Sequence, residues 1–438
     1  MKKTLLIAVA TVMVALGANA QFARIAQNTR KYNPSAEKME VMKAQSSNIV
    51  ANANHVSNQV SRRAVGDIAG TYIMDNANYN GDFTSSSSFK IESATGTTKV
   101  YNLETDVDDV DFEYNVVLTN FTYEGAIAYG KYENGFITIP VQTIANNDTY
   151  GRIVFSAVTK VGDSPAHIGF DMLLEVMDDG SIEIYGAEEE LKEAGYEEGE
   201  YISGFYNFLP DSSGAWNYGF DSEFFAKNGV MSADVSGYLR TDGQTQGWQD
   251  ERAEYPIAVE DFNGELVVHN FIGMAPISIN VNEDGTAAIP LPQFVDDHDY
   301  SEDGGFEYGC MRLVGVDLEG TSLRRNYDKN ALTGSVTKTD EAIVYDFFEL
   351  NEEGKVVQDE NHSPYLAVAS AADGDGAAYG MGYLFAIRLI ALNVSTGINE
   401  TKANCQKTTG KTFNLMGQEV NASAKGLIIR DGKKMLNK

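Results

Sequence analysis

One stretch of this chain occurs twice. Val117–Pro140 and Val267–Pro290 align without a gap at a spacing of 150 residues. Identical pairs are Val117/Val267, Asn120/Asn270, Phe121/Phe271, Glu133/Glu283, Gly135/Gly285, Ile139/Ile289 and Pro140/Pro290. The shared residues are turn formers and core formers. Glu133-Asn134-Gly135 and Glu283-Asp284-Gly285 allow the positive φ that a tight hairpin turn needs. A strand–turn–strand unit with its turn glycine in register accounts for the match and constrains the chain to a duplicated β architecture.

The sequence around these segments carries the same period. Asn115–Phe121, Phe136–Ile139, Arg152–Val158, Ile182–Tyr185, Leu266–Phe271, Ile277–Val281 and Ala342–Phe347 are short runs of strand-forming residues. Asp178-Asp179-Gly180 and Glu352-Glu353-Gly354 supply further turns. Strands every 8–12 residues or so mark an all-β fold. Ala187–Ala194 is the clearest helical segment, and residues 34–54 read as a loose helix or a linker. A second echo, Ile68 to Tyr72 against Ile202 to Tyr206, sets a Gly-x-Tyr at the start of each expected domain. The predicted organisation is a signal peptide at 1–20, a leader at 21–65, β-domains at 66–198 and 199–395, and a terminal β-hairpin module at 396–438.

The charge excludes one class of partner. The chain has 33 Lys and Arg against 63 Asp and Glu, a net charge of −30. The acidity is concentrated in 66–400, with 16 basic against 59 acidic residues. Such a surface repels phosphate backbones, so no nucleic-acid partner is expected. Cys310 and Cys405 fall in different expected modules, so no bridge between them is expected.

The two ends read as addresses. Lys2 and Lys3, the apolar run Leu5 to Leu16, and Ala18-Asn19-Ala20 have the form of a secretory signal. No run approaches the ~18 apolar residues of a transmembrane helix, so no transmembrane span is expected. At the other end, short strands alternate with turns. Asn414, Leu415, Gly417, Gln418 and Val420 are followed by Lys425, Gly426, Leu427, Ile429, Gly432, Lys433, Lys434 and Lys438. This spacing resembles the C-terminal sorting segments linked to type IX secretion in secreted Bacteroidetes proteins. The resemblance implies export to the outer-membrane surface or the medium, with the periplasm as the other compartment and outer-surface attachment as an option.

Gly70 and Tyr72, Asn120 and Phe121, Gly135, Ile139, Pro140 and Gln142 form a second pattern. Gly204 and Tyr206, Asn270 and Phe271, Gly285, Ile289, Pro290 and Gln293 repeat it. It resembles the calycin-like β-barrel domains of secreted Bacteroidetes proteins. The fold implied is two related antiparallel β-barrel or sandwich domains followed by the C-terminal hairpin module.

Residues with reactive chemistry are sparse. The chain lacks a Gly-x-Ser-x-Gly elbow, a His-Glu-x-x-His and a phosphate-binding glycine loop with Lys. His269 alternates with apolar neighbours and reads as an outward strand residue rather than a base. Asp297, Asp299 and Asp303 set oxygen ligands at alternating positions, the spacing of a Ca2+ loop, whereas Glu302 replaces the sharp-turn glycine and Tyr308 the bidentate glutamate. Asp106 to Asp111 and Asp373 to Asp375 are weaker acidic clusters. The aromatic stretch Tyr201–Phe225 reads first as core. Within it Trp216, and beyond it Trp248, are the candidate ligand-binding residues, because exposed aromatics stack on sugar faces.

The expectation is an exported, non-catalytic surface or secreted β-domain protein that binds a glycan, a small ligand or a protein partner. The alternative is a polysaccharide-acting hydrolase with paired carboxylates as acid and base.

Overall fold

The structure, a computed structural model, describes residues 42–43, 64–392 with internal breaks, and the strands within 412–437. The breaks within 64–392 are 80, 82, 178–179, 213, 237–251, 263, 297–310, 320–321, 355, 358–363 and 371–379. The signal segment, both cysteines, Trp248, Asp297, Asp299, Asp303 and Asp373 to Asp375 therefore lie outside the described residues. So does most of the leader.

A two-residue leader strand, β1 (Met42–Lys43), precedes the body. The body then runs β2 (Gly70–Ala77), β3 (Phe83–Asn102), β4 (Val107–Thr119), β5 (Ile127–Glu133), β6 (Phe136–Ile139) and β7 (Gln142–Asn147). Next come β8 (Gly151–Val161), β9 (Ser164–Phe170), β10 (Met172–Val176), β11 (Ile182–Ile184), the helix Glu188–Glu193, β12 (Tyr201–Phe208) and β13 (Ala215–Ala226). The second series is β14 (Gly229–Ser236), β15 (Arg252–Asp261), β16 (Glu265–His269), β17 (Ile277–Val281), β18 (Thr286–Pro290) and β19 (Gln293–Asp296). It ends with β20 (Met311–Glu319), β21 (Ser322–Arg325), β22 (Ala331–Lys338), β23 (Ala342–Asp346), β24 (Tyr365–Ser370) and β25 (Gly380–Leu392).

The fold is all-β, and each series closes a ring. In the first, β2-β3-β4-β5-β6-β10-β11-β13 returns to β2, an antiparallel barrel of eight strands. In the second, β14-β15-β16-β17-β18-β22-β23-β25 returns to β14 in the same order. The strands outside the rings correspond too. β12 bridges β13 to β8, which carries β7 and β9; β24 bridges β25 to β20, which carries β19 and β21. Matching pairings throughout make the two barrels copies of one topology. β1 adds to the first series only, pairing parallel to β9 through Met42 with His167.

The pairing moves the expected boundary. β12 and β13 hydrogen-bond to β8 and β2, so 199–226 belongs to the first barrel and not the second. The echo at Ile202 to Tyr206 is consequently not a domain opening. The strand that corresponds to Gly70–Ala77 is β14, beginning at Gly229. The acidic stretch Glu188–Glu200 lies between β11 and β12 inside the first series.

Backbone geometry repeats with the sequence. Asn120 and Thr122 have φ of 60° and 68°, and Asn270 and Ile272 have φ of 61° and 54°. A β-branched residue rarely takes positive φ, so this turn is imposed by the fold at both places. The hairpin glycines match as well, Gly135 at φ 86° and Gly285 at 85°. Two glutamines act as equivalent clamps. Gln142 Oε1 accepts from Tyr129 N at 2.8 Å, and its Nε2 donates to Tyr129 O and Pro140 O. Gln293 Oε1 accepts from Ser278 N at 2.8 Å, and its Nε2 donates to Ser278 O and Pro290 O. Each ties an edge strand to the barrel wall.

Alternation along the ring strands points apolar side chains inward. Leu118, Ile137 and Leu174 pack with Phe89 and Phe121 in the first barrel; Val268, Ile277, Ile289 and Leu389 fill the second. The interiors are thus occupied by side chains, as small barrels require.

One half-buried carboxyl distinguishes the copies. Val141 N donates to Asp171 Oδ1 at 3.1 Å, whereas the corresponding Leu291 N donates to the carbonyl of Asn330. Burial pushes the Asp171 carboxyl up to about 7, against the opposing pull of the Val141 N–H. A folded value above the unfolded one gives stability that is fully present below about pH 4 and is lost as pH rises through 7. Asp171→Asn keeps an acceptor without the charge. It is expected to melt roughly 2–4 °C above the wild type at pH 8.5, with a smaller gap at pH 5, by calorimetry at both values.

Val394–Lys438 form a second compact unit. Its strands β26 (Thr412–Phe413), β27 (Glu419–Val420), β28 (Gly426–Arg430) and β29 (Lys433–Asn437) form an antiparallel sheet in the order β27-β26-β28-β29. The expected hairpin is its β28–β29 half. Among the described residues no helix is long and apolar enough to cross a membrane.

Candidate functional site

Trp216 is the second residue of β13 and is half-buried against the edge of the first core. Two turns far away in sequence bring it company. Tyr123, from the β4–β5 turn, lies 5.9 Å from it between ring centroids; Tyr150, from the β7–β8 turn, lies 6.1 Å away. The positive φ of Thr122 sets the course of the chain into Tyr123. Behind the rings is a polar cluster. Asn207 Nδ2 donates to Thr122 Oγ1 at 2.8 Å and to Asn217 Oδ1 at 2.7 Å, and Asn217 Nδ2 donates to Thr122 O. Two atoms here, Asn207 Oδ1 and Tyr123 OH, are buried without a hydrogen-bond partner. Burial pushes the Tyr123 hydroxyl up to about 12, so it is a neutral donor at physiological pH.

The loop before Trp216 is pinned by charge. Arg152 donates from Nε and Nη2 to the two oxygens of Asp211, at 3.0 and 2.7 Å, and from Nη1 to Asp106 O. That contact and the Arg152 backbone N–H hold the Asp211 carboxyl down to about 2. Ser212 Oγ donates to Tyr150 O at 3.0 Å. The arrangement offers aromatic faces beside fixed polar groups, the combination that recognises a sugar ring or a planar ligand.

The acidic run Asp106 to Asp111 is engaged by its own β3–β4 hairpin and by β7. Asp106 accepts from Tyr101 OH, Asp108 from Thr143 Oγ1 and Asp109 from Asn102 Nδ2, while Asp111 pairs with Lys99. Among the described residues no group of three His, Cys, Asp or Glu converges as a metal site would. Asp297, Asp299 and Asp303, proposed for Ca2+, are outside the described residues.

The described histidines are engaged by carboxylates. His167 Nδ1 is 2.7 Å from Oε1 of Glu200, a fully buried carboxylate that also accepts from Thr159 Oγ1 at 2.5 Å. His269 does face outward from its barrel, as the alternation of β16 implies, yet it is buried at 5% exposure. Its Nδ1 is 2.7 Å from Asp75 Oδ2 and its Nε2 is 3.0 Å from Glu260 Oε2. Ser86 Oγ donates to the other Asp75 oxygen. Serine, aspartate and histidine thus meet, but in an order unlike a nucleophilic triad, with the aspartate between the other two. Both imidazole nitrogens are occupied, which leaves this ring no position from which to take a serine proton.

The sequence marks Trp216 but not its neighbours. Tyr123 and Tyr150 sit in turns whose meeting depends on the wrapping of β12 and β13 over β8. His269 has a readable direction, whereas its cover comes from Asp75, on the other barrel. No family model, curated protein or solved structure matches the chain.

Proposed function

We propose that this is an exported, non-catalytic binding protein whose first barrel takes a glycan at the Trp216 face. The observation that carries the reading is the grouping of Trp216, Tyr123 and Tyr150 beside Arg152, Asp211 and Ser212. Barrel interiors filled with apolar side chains support an outer surface, rather than a lumen, as the place of binding. The signal-like first 20 residues and the sorting-like C-terminal unit support export and display at the cell surface or in the medium.

The test is a screen of oligosaccharides against the full chain, followed by titration calorimetry on the best binder. Trp216→Ala is expected to weaken binding by at least ~10-fold, the loss of about 1.4 kcal/mol of stacking, with the melting temperature little changed. Wild-type affinity in Trp216→Ala, or no oligosaccharide bound by the wild type, would refute the reading.

A further inference from the structure

The two barrels meet at one charged ring. β2 and β13 of the first barrel bring Asp75, Glu223 and Phe225 to the junction, and β3 brings Ser86. β16 of the second brings His269, whose ladder partner is Ala258, and β15 brings Glu260, two residues beyond Ala258. The imidazole stacks on Phe225, with centroids 3.7 Å apart and planes at 21°. Its Nδ1 reaches across to Asp75 of the first barrel, and its Nε2 reaches Glu260 of its own. A backbone bond from Ser86 N to Gly273 O, at 3.4 Å, is a further link between the barrels.

We propose that the His269 imidazolium is a latch that couples the barrels into one cooperative body and lets go as the medium becomes alkaline. Only the doubly protonated ring donates to both carboxylates at once. A neutral ring must lose one of these bonds, and it leaves Asp75, Glu260 and Glu223 facing one another with no intervening cation.

The balance of forces on the ring agrees. Burial alone favours the neutral ring, but Asp75 and then Glu260 outweigh it and raise His269 above its ordinary value. Glu223 is likewise raised, by burial first and then by Asp75, with His269 opposing. A histidine raised in the folded state contributes stability that is fully present below about pH 6.5 and is lost as pH rises through the folded value. The latch therefore holds fully at mildly acidic pH and is lost above the ordinary histidine range.

Calorimetry of the full chain at pH 6 and pH 9.5 tests this, with His269→Gln and Asp75→Asn as variants. The wild type is expected to unfold its barrels in one transition at pH 6. At pH 9.5 two transitions are expected, separated by about 4 °C or more. His269→Gln is expected to show two transitions at both values. Should His269→Gln fail to fold, Asp75→Asn, which keeps the volume and removes the charge that crosses the junction, is expected to show the same split. The same number of transitions at both pH values in the wild type would overturn the proposal. So would a foldable variant that splits with pH as the wild type does. Imidazole nitrogen NMR of the wild type gives a separate reading, since a neutral His269 ring at pH 6 also overturns it.

Discussion

Gly204→Ala is expected to break open the outer face of the first barrel, at a cost of about 3 kcal/mol or more. A Cβ at this position would lie 2.0 Å from Gly219 O, 2.8 Å from Gly219 C and 3.0 Å from Phe220 Cα. All three are backbone atoms of β13, the strand that also closes the ring. No rotamer change can relieve the contact. β12 must move away from β13, taking the pairs Phe205–Gly219 and Tyr206–Tyr218 with it. Gly219 is crowded from its own side by side chains instead, since a Cβ there would lie 2.5 Å from Asn76 Oδ1 and 2.7 Å from Phe205 Cε1. Gly96→Ala is the control. Its nearest neighbour, at 2.5 Å, is the hydroxyl of Tyr114, the far end of a side chain that can swing aside. Its expected cost is below about 1 kcal/mol. Urea midpoints of the two variants check the contrast, and equal midpoints would contradict the packing at Gly204.

Phe121→Ala and Phe271→Ala are expected to cost about 3–5 kcal/mol each, as loss of a buried phenylalanine does. Both rings are fully buried and both follow an asparagine at positive φ. Phe121 sits between Phe89 and Phe155, with centroids at 5.2 and 5.4 Å. Phe271 belongs to the second core beside Ile272 and Met274. The left-handed turn on either side of each ring prevents the chain from collapsing into the hole, so little of the cavity is recovered. Denaturant titration of both variants is the measurement. A cost below ~1 kcal/mol at one site only would mean that the two turns, alike in backbone, do not anchor their barrels alike.

The legibility of this fold depends on range. Local signals carried well: the turn glycines 135 and 285, strands such as Phe136–Ile139 and Ile277–Val281, and the helix within Ala187–Ala194 can be read from a few residues each. The boundary could not be read in this way. Gly-x-Tyr at 204–206 has the form of a strand opening, but membership of a barrel is decided by pairing partners, and those of β12 and β13 lie in β8 and β2. No periodicity reports which distant strand will be a neighbour. The same limit hid the junction, because Asp75 and His269 are each ordinary residues in an alternating strand until the two barrels are brought together. Trp216 stood out by its chemistry, while Tyr123 and Tyr150 were two among many tyrosines.

The ring order also sets a timetable. Closure of the first barrel joins Tyr72 to Ala226, and closure of the second joins Gly229 to Ala391. Each is a contact between the first and last strands of its series, so neither barrel can be finished until nearly all of its residues have emerged. Such distant pairings belong to the slow end of folding, roughly milliseconds to seconds. In the interval the edges of β2 and β13 stand unpaired and open to foreign strands. Because no ring strand is borrowed from the other copy, the first barrel can seal its edges while the second is still being made. A nascent chain thus carries at most one open ring at a time.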